Sequence, residues 1–206
     1  LRSERLIYVI YLEAFIKQQS LEWLLYRVGK PTASEFDNIL TPEFKIRTGE
    51  MVRTYCAKKV AELWTNSPAP CFQSIDMDFG KLLEEEAIPY YTLTTGIEVE
   101  QLGFITTDDG SVGCSPDGWL PDGTGLEVKS PDQHTHVKYL LAGGVPKEYL
   151  AQVQGGMYVT GAPRWTFMSY RRGFPPLIVE VKRDEEIMEV ISGALALFLA
   201  ERKRMK

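Results

Sequence analysis

The chain has 206 residues, of which 44% are hydrophobic and 25% are charged, proportions that are usual for one globular domain. Its formal net charge of −5 argues against a protein that coats nucleic acid nonspecifically, but it does not exclude a nuclease, which needs only a local basic channel. Three cysteines without metal-ligand spacing suit a reducing compartment, and the apolar run 6–16 is too short to cross a membrane. We therefore expect a single domain over residues 1–206, located in the cytoplasm, without a targeting segment or membrane contact.

The first half of the chain is predicted to be helical. A first helix is expected over residues 6–26, and Thr32-Ala33-Ser34-Glu35 matches a capping box that opens a second helix. Two longer helices are predicted at residues 47–64 and 77–91. The apolar residues assigned to their inner faces include Met51 and Leu82.

The helix predicted at residues 77–91 carries the run Glu84-Glu85-Glu86. Helical spacing puts Glu86 near the apolar stripe and Glu84 on its flank, whereas Glu85 points away. A carboxylate beside a buried face needs a partner, and a metal ion would serve. Helical phase alone therefore favours Glu86 as the acid that faces inward.

The second half of the chain alternates strands with helices. Strands are predicted at residues 96–106, 111–120, 125–130, 164–172 and 177–182. Helices are predicted within residues 134–158, with a break at Gly143-Gly144, and over residues 184–203. This order predicts an α/β fold in which a mixed central β-sheet is flanked by helices.

A turn of the type x-Pro-Asp-Gly-x, at Leu120-Pro121-Asp122-Gly123-Thr124, predicts a hairpin between two of these strands. If the loop is centred on Asp122, Asp117 falls opposite Glu127, where two carboxylates repel each other. A divalent cation such as Mg²⁺, which prefers oxygen ligands, would turn that repulsion into a binding site. Lys129 lies on the same face of the strand as Glu127 and can position a water or stabilise a phosphoryl group. The hairpin therefore has the outline of a metal-dependent phosphodiesterase.

The Glu-x-Lys triplet is a weak signal when it is considered alone. It also occurs at residues 43–45, 180–182 and 201–203. Only Glu127-Val128-Lys129 follows a Pro-Asp-Gly sequence on a strand that can pair with it. The alternative is a surface hairpin whose alternate polar residues face water.

Two further features have an ordinary and a functional interpretation. Ser34 in the first turn of a helix, with Arg27 just upstream, is typical of a phosphate cradle, although a simple cap and a surface arginine would also fit. His134 and His136 are interpreted as exposed or packed in a loop rather than as metal ligands.

Several motifs occur together in one order along nearly the whole chain. They are Trp23 through Arg27, Gly29, Thr32-Ala33-Ser34, Gly80-x-x-x-Glu84-x-x-Ala87, Cys114-Ser115-Pro116-Asp117-Gly118, Gly125-Leu126-Glu127-Val128-Lys129, Leu141-Ala142-Gly143-Gly144, Tyr149-Leu150-Ala151-Gln152-Val153-Gln154, and Val181 through Asp184-Glu185. In these motifs the chain resembles the bacteriophage lambda exonuclease family of recombination nucleases, within the PD-(D/E)xK superfamily. Their order and spacing together are more specific than any single motif.

The resemblance implies a PD-(D/E)xK (restriction-endonuclease-like) nuclease core. It implies an exonuclease that digests the 5′-ended strand of linear double-stranded DNA and leaves a 3′ overhang for homologous recombination. It further implies a ring-shaped homotrimer around the DNA and a single-strand annealing protein as partner. Such an enzyme would act in the cytoplasm of a bacterial or phage-infected cell.

The resemblance also assigns roles to individual residues. The metal ligands for two Mg²⁺ ions, with Mn²⁺ as an alternative, would be Glu84, Asp117, Glu127 and the Val128 carbonyl. Lys129 would orient the attacking water, and Gln152 would support the site. The residues that match the positions holding the 5′ phosphate are Arg27, Ser34 and Ser115. The motif match therefore selects Glu84 where helical phase favours Glu86, and Gln152 rather than Gln154.

Two other functions remain alternatives. One is an endonuclease, such as a junction resolvase, with the same acid-x-Lys core, and it would digest circular DNA. The other is a DNA-end-binding protein without catalysis, which would release no nucleotides in Mg²⁺.

Overall fold

The computed structural model describes residues 16–69 and 75–206, and over residues 75–81 it describes the backbone alone. The part of the predicted first helix over residues 6–15 lies outside these ranges. None of the helices in the described ranges combines the length and the apolarity that a membrane-crossing helix requires.

Six α-helices and six strands are formed by the described residues. The helices are α1 (Leu21–Arg27), α2 (Glu50–Thr65), α3 (Ile75–Thr95), α4 (Gln133–Ala142), α5 (Lys147–Thr160) and α6 (Glu185–Met205), and a 3-10 helix spans Ala33–Asn38. The strands are β1 (Ile105–Thr106), β2 (Gly113–Cys114), β3 (Gly118–Trp119), β4 (Gly125–Lys129), β5 (Arg164–Ser169) and β6 (Leu177–Lys182).

A four-stranded mixed sheet in the order β3-β4-β5-β6 forms the centre of the fold. β4 and β5 run parallel, because helices α4 and α5 connect them, while β3 and β6 pair antiparallel at the two edges. β1 and β2 form a separate antiparallel pair. The predicted α/β class with a mixed central sheet flanked by helices is confirmed.

Helices cover both faces of this sheet. On one face α5 packs against β5, the 3-10 helix and α6, and the larger apolar core lies here, around Phe36, Met157 and Phe167. On the other face α3 contributes Leu83, Ala87 and Tyr91 to a second cluster with Leu126, Val128 and Met168. Since side chains alternate along β4, Glu127 and Lys129 point away from the α3 cluster that holds Leu126 and Val128.

Three of the predicted local features are wrong. Of the strand predicted at residues 96–106, only Ile105–Thr106 (β1) forms a regular strand. Thr32 precedes the 3-10 helix without capping it through its side chain, so Thr32-Ala33-Ser34-Glu35 does not form a capping box. The predicted strand over residues 111–120 is divided into β2 and β3, with Ser115, Pro116 and Asp117 between them. The division follows from long-range pairing, because Gly113 N–H donates to the Pro31 carbonyl at 3.1 Å whereas Asp117 N–H donates to the Leu126 carbonyl at 3.0 Å.

Candidate active site

The β3–β4 hairpin has the register that a loop centred on Asp122 predicts. Gly118 pairs with Leu126 and Trp119 with Gly125, and Asp117 comes next to Glu127 at the end of this ladder. The turn is closed by a hydrogen bond from Leu120 N–H to the Thr124 carbonyl at 2.8 Å. A local turn sequence thus brings two acidic residues, ten positions apart, to adjacent strands.

Glu127 is the centre of a short polar cluster on the α5 side of the sheet. Its Oε1 atom accepts hydrogen bonds from Lys129 Nζ at 2.5 Å and from Gln152 Nε2 at 2.5 Å. Glu127 is only 3% exposed, so this cluster replaces the water that an exposed carboxylate would bind. The ammonium group of Lys129 also lies 5.6 Å from the ring centroid of Tyr149. Residues from β4 and α5 therefore meet at one carboxylate.

Asp117 is held against the same strand by the backbone. Its Oδ2 atom accepts a hydrogen bond from Val128 N–H at 2.7 Å. This contact orients the carboxyl group along β4 and places it within the electrostatic field of Glu127 and Lys129. Asp117 is thereby fixed although it stands outside the regular part of β3.

The electrostatics of the cluster show an excess of buried negative charge. Burial raises the pKa of the Glu127 carboxyl to about 8, and burial also raises the pKa of Asp117 above its ordinary value. Burial alone would lower the pKa of Lys129, but attraction to Glu127 and Asp117 raises it. Glu84 adds a further negative charge that acts on both Glu127 and Lys129. A bound cation would relieve this repulsion.

Glu84 and Glu86 occupy different environments on α3. Glu84 lines a cavity of about 630 Å³, together with Asp117, Gln18 and Gln101. Glu86 instead accepts a hydrogen bond from Tyr170 Oη at 2.6 Å and forms an ion pair with Arg172. The geometry favours Glu84 over Glu86 as the acid of the site, which is the choice made by the motif match and not by helical phase.

The two glutamines of α5 also separate clearly. Gln152 donates to Glu127, whereas Gln154 is 3% exposed and donates to the Lys182 carbonyl at 3.0 Å. Gln154 Oε1 accepts a hydrogen bond from Asp184 N–H at 3.3 Å. Gln154 therefore connects α5 to the segment between β6 and α6, whereas Gln152 contacts the acidic cluster.

The donor set fits a hard divalent cation. Among the described side chains, those of residues 16–69 and 82–206, no three His, Cys, Asp or Glu form a ready metal-binding group. Glu127 Oε1 accepts hydrogen bonds from Lys129 and Gln152, and Asp117 Oδ2 accepts one from the Val128 amide. The acids nevertheless supply oxygen ligands and uncompensated charge, which are the properties that Mg²⁺ selects. Binding would require the Glu127 carboxylate to exchange a contact with Lys129 or Gln152 for the ion.

The three predicted phosphate-binding residues are brought together beside this cluster. Ser34, Ser115, Glu127 and Gln152 line one small pocket of about 10 Å³, which suits about one water molecule. Arg27 reaches the same region, where its Nη2 atom donates to Thr32 Oγ1 at 3.2 Å, and Thr32 Oγ1 lies 3.3 Å from Ser34 Oγ.

Trp23 is a residue of this region to which sequence reasoning gave no role. Its Nε1 atom donates to Ser115 Oγ at 2.9 Å and to the Gly103 carbonyl at 3.0 Å. The guanidinium carbon of Arg27 lies 4.3 Å from the centroid of the Trp23 ring, a cation–π contact. The spacing of Trp23 and Arg27, four residues apart on α1, is the signal from which this contact could have been inferred.

The family model described as the YqaJ-like viral recombinase domain matches residues 22–163 of the chain. The chain belongs to this family. The match includes every predicted site residue from Arg27 to Gln152. It confirms the resemblance to phage-type recombination nucleases. A search of curated protein sequences found no match.

Solved structures are similar to this chain over most of its length. The alkaline exonuclease LHK-Exo from Laribacter hongkongensis is 28% identical, with a TM-score of 0.80, over 90% of this chain and 94% of its own. A structure of LHK-Exo in complex with dAMP has a TM-score of 0.81 at the same identity and coverage. A phage-related exonuclease from Haemophilus somnus 129PT is 15% identical, with a TM-score of 0.63, over 85% of this chain and 94% of its own, and shows the shared fold.

The two histidines of the chain lie outside the site. His134 is exposed and contacts Asp132, as expected for a surface histidine. His136 is fully buried, with Nδ1 at 2.8 Å from Ser169 Oγ and Nε2 at 3.0 Å from the Pro175 carbonyl. Since a carbonyl only accepts, Nε2 carries the proton and Nδ1 accepts from Ser169, which gives His136 a structural role.

Proposed function

We propose that the protein is a metal-dependent 5′→3′ exonuclease that digests the 5′-ended strand of linear double-stranded DNA. The product would be a 3′ single-stranded overhang, the substrate of single-strand annealing in homologous recombination. Membership of a viral recombinase family supports the place in recombination. The likeness to LHK-Exo, which is an alkaline exonuclease, supports the reaction type.

The observation that carries this proposal is the buried cluster at the end of β4. A glutamate, a lysine and a glutamine meet there through contacts of 2.5 Å, next to an aspartate that directly precedes the paired strand β3. A structural ion pair would have no need of the second and third carboxylates, which make the arrangement costly in the absence of a cation. Excess buried acid beside a lysine is what phosphodiester hydrolysis with metal ions requires.

The roles of the residues follow from their positions. Glu84, Asp117, Glu127 and the Val128 carbonyl would hold two Mg²⁺ ions, with Mn²⁺ as an alternative. Bound Mg²⁺ would supply Lewis-acid stabilisation of the phosphate oxygens and lower the pKa of water. Lys129 would orient the attacking water through its ammonium group. Gln152 would hold the Glu127 carboxylate in place while the contact of Glu127 with Lys129 is exchanged for a metal ion.

The choice of the 5′-ended strand depends on the predicted phosphate-binding residues beside the acidic cluster. Arg27, Ser34 and Ser115 would hold the terminal 5′ phosphate, because phosphate oxygens accept hydrogen bonds from guanidinium and hydroxyl groups. Ser115 and Asp117 are two residues apart, so a phosphate bound at Ser115 would lie close to the acids. A 3′-hydroxyl end carries no terminal phosphate and would not be held in this way.

The oligomer and the partners are part of the same proposal. A homotrimer ring would enclose the duplex, and a single-strand annealing protein would receive the overhang. Sedimentation of the purified protein would report the trimer as about three times the 23.4 kDa chain.

The test is digestion of a linear duplex with a 5′ phosphate, with Mg²⁺ and then with EDTA, followed by identification of the strand that is lost. We expect Lys129→Ala and Asp117→Ala to abolish nucleotide release, whereas Lys182→Ala preserves it. Lys182 is the matched control, because it belongs to a second Glu-x-Lys triplet on β6, away from the cluster. Near-normal digestion by Lys129→Ala would contradict the assignment, and digestion of a circular duplex would favour the endonuclease. No release by the wild type in Mg²⁺ would favour a DNA-end-binding protein.

A second measurement tests the phosphate-binding residues. Arg27→Ala is expected to erase the preference for a 5′-phosphorylated end over a 5′-hydroxyl end. An unchanged preference would remove Arg27 from this role and leave the metal-binding part of the proposal intact.

A further inference from the structure

A chain of polar contacts connects Arg27 to the lysine side chains of α2. Arg27 Nη2 donates to Thr32 Oγ1 at 3.2 Å, and Thr32 Oγ1 donates to Glu35 Oε2 at 3.2 Å. The same Glu35 oxygen lies 2.9 Å from Lys59 Nζ on α2. Thr32 is 0% exposed and Lys59 is 3% exposed, whereas the side chain of Glu35 between them is 22% exposed.

The side chains of Thr32 and Glu35 are not used to cap the 3-10 helix. In a capping box each of these side chains would bond to the backbone N–H of the other residue. Here Glu35 N–H donates to the Thr32 carbonyl at 2.8 Å, and the Thr32 side chain caps nothing. The two side chains bond to each other instead, which connects Arg27 to the lysine of α2.

The direction of the hydrogen bonds in this chain is determined by chemistry. An ionised carboxylate only accepts, so the single hydroxyl proton of Thr32 is donated to Glu35. The lone pairs of Thr32 Oγ1 are then left to accept from Arg27. Lys59, with Lys58 and the hydroxyl group of Tyr55, keeps the Glu35 carboxylate ionised and fixed. Arg27 is therefore held at one N–H by Thr32 and on its face by the ring of Trp23.

We propose that Glu35 is a positioning residue that, through Thr32, aims the guanidinium of Arg27 at the terminal 5′ phosphate. The inference rests on the proposed function and extends it to a second layer of residues. Loss of the Glu35 charge weakens the hydrogen bond from Thr32, whose hydroxyl proton can then turn toward Ser34 Oγ at 3.3 Å. Arg27 loses its fixed orientation, and selectivity for a 5′-phosphorylated end falls although no residue that touches the DNA has changed.

The chain offers a matched control in Glu62. Glu62 also contacts Lys59, at 3.4 Å, and accepts a hydrogen bond from Gly29 N–H at 2.9 Å. It is 6% exposed, close to the values for Thr32 and Lys59, and its carboxylate contacts are with Gly29 and Lys59 and not with Thr32. Glu62→Gln therefore removes a charge from the same lysine and leaves the connection from Glu35 to Thr32 in place.

The experiment measures kcat/KM on two linear duplexes that differ only in a 5′-phosphate or a 5′-hydroxyl end. Glu35→Gln and Thr32→Val are expected to lower the ratio of the two values by about 3- to 10-fold, the effect of one hydrogen bond. The rate on the 5′-hydroxyl end should stay the same, and Glu62→Gln and Thr32→Ser should keep the wild-type ratio. If Glu35→Gln fails to fold, Thr32→Val decides the outcome.

Three results would overturn the inference while leaving the proposed function standing. They are a wild-type ratio in both Glu35→Gln and Thr32→Val, an equal loss on both ends, and an equal fall in the ratio in Glu62→Gln. A wild type that digests both ends equally would refute the proposed end recognition itself, and the role of Glu35 with it.

Discussion

The ion pairs of Glu35 predict a particular response to acid. Burial by itself would raise the pKa of Glu35, but Lys59 and then Lys58 lower it to about 2. In the unfolded chain the same carboxyl group has its ordinary pKa of 4.5. A carboxyl with a lowered pKa in the folded state stabilises the fold above its unfolded pKa, and the contribution is lost as the pH falls from 4.5 to about 2.

The size of the expected change in the free energy of unfolding follows from the shift in the pKa of Glu35. A change from 4.5 to about 2 corresponds to roughly 3 kcal/mol at pH 7, at 1.36 kcal/mol for each pH unit. The side chain of Glu35 is 22% exposed, so most of this interaction is protected from screening by solvent. Glu35→Gln should therefore lower the free energy of unfolding by up to about 3 kcal/mol at pH 7. Near pH 2 the carboxyl is half protonated in the folded wild type, so the difference should have fallen to about 0.4 kcal/mol.

The assay is urea unfolding at a series of pH values from 7 down to 2.5, for the wild type and Glu35→Gln. The difference between the two free energies of unfolding should shrink steadily below pH 4.5. Glu43→Gln, an exposed glutamate before α2, serves as control and should stay within about 0.5 kcal/mol of the wild type throughout. A difference for Glu35→Gln that stays constant with pH would refute the reasoning, since its cause would then be packing and not charge.

Three further predictions concern the site and the core. Glu84→Gln should lower kcat by at least about 100-fold, while Glu86→Gln, whose partners are Tyr170 and Arg172, should lower it less than about tenfold, as measured on linear duplex DNA. His136→Ala should lower the free energy of unfolding by about 2–4 kcal/mol in urea, because it leaves Ser169 unpaired in the interior, whereas exposed His134→Ala should change it by less than about 0.5 kcal/mol. Gly113→Ala should cost about 1–3 kcal/mol, since a Cβ there would lie 2.1 Å from Phe104 Cζ, and Gly144→Ala, with open space around it, is the control.

The hairpin could be predicted because its determinants are local. A Pro-Asp-Gly turn sets the register of the strands on either side, and the register in turn sets which acids are neighbours. The observed pairs Gly118 with Leu126 and Trp119 with Gly125 follow directly from a loop centred on Asp122. The contact of Lys129 with Glu127 follows equally from the two-residue period of a strand.

Features that depend on distant residues were predicted less well. Helical phase favoured Glu86 because it takes account of one helix alone. It does not include the contact of Glu86 with Arg172, which lies 86 residues further along the chain. Met51 and Leu82 were assigned to inner faces but are 51% and 63% exposed, because hydrophobic character does not specify which neighbours are present. Thr32 and Glu35 match the capping-box motif, yet their side chains contact Arg27 and Lys59 instead of the backbone of the 3-10 helix.

The segment Ser115-Pro116-Asp117 connects the predicted phosphate-binding residues to the acidic cluster. This position explains why the predicted strand is divided into β2 and β3 at this segment. Ser115 accepts a hydrogen bond from Trp23, and Asp117 accepts one from Val128, so the two side chains serve different partners. Gln18 Nε2 donates to the Pro116 carbonyl at 2.7 Å and holds the segment between them. In a continuous strand Ser115 and Asp117 would both pair with the same neighbouring strand. Because the chain leaves β2 before it joins β3, the hydroxyl group proposed to bind phosphate and the carboxylate proposed to bind metal lie only two peptide bonds apart.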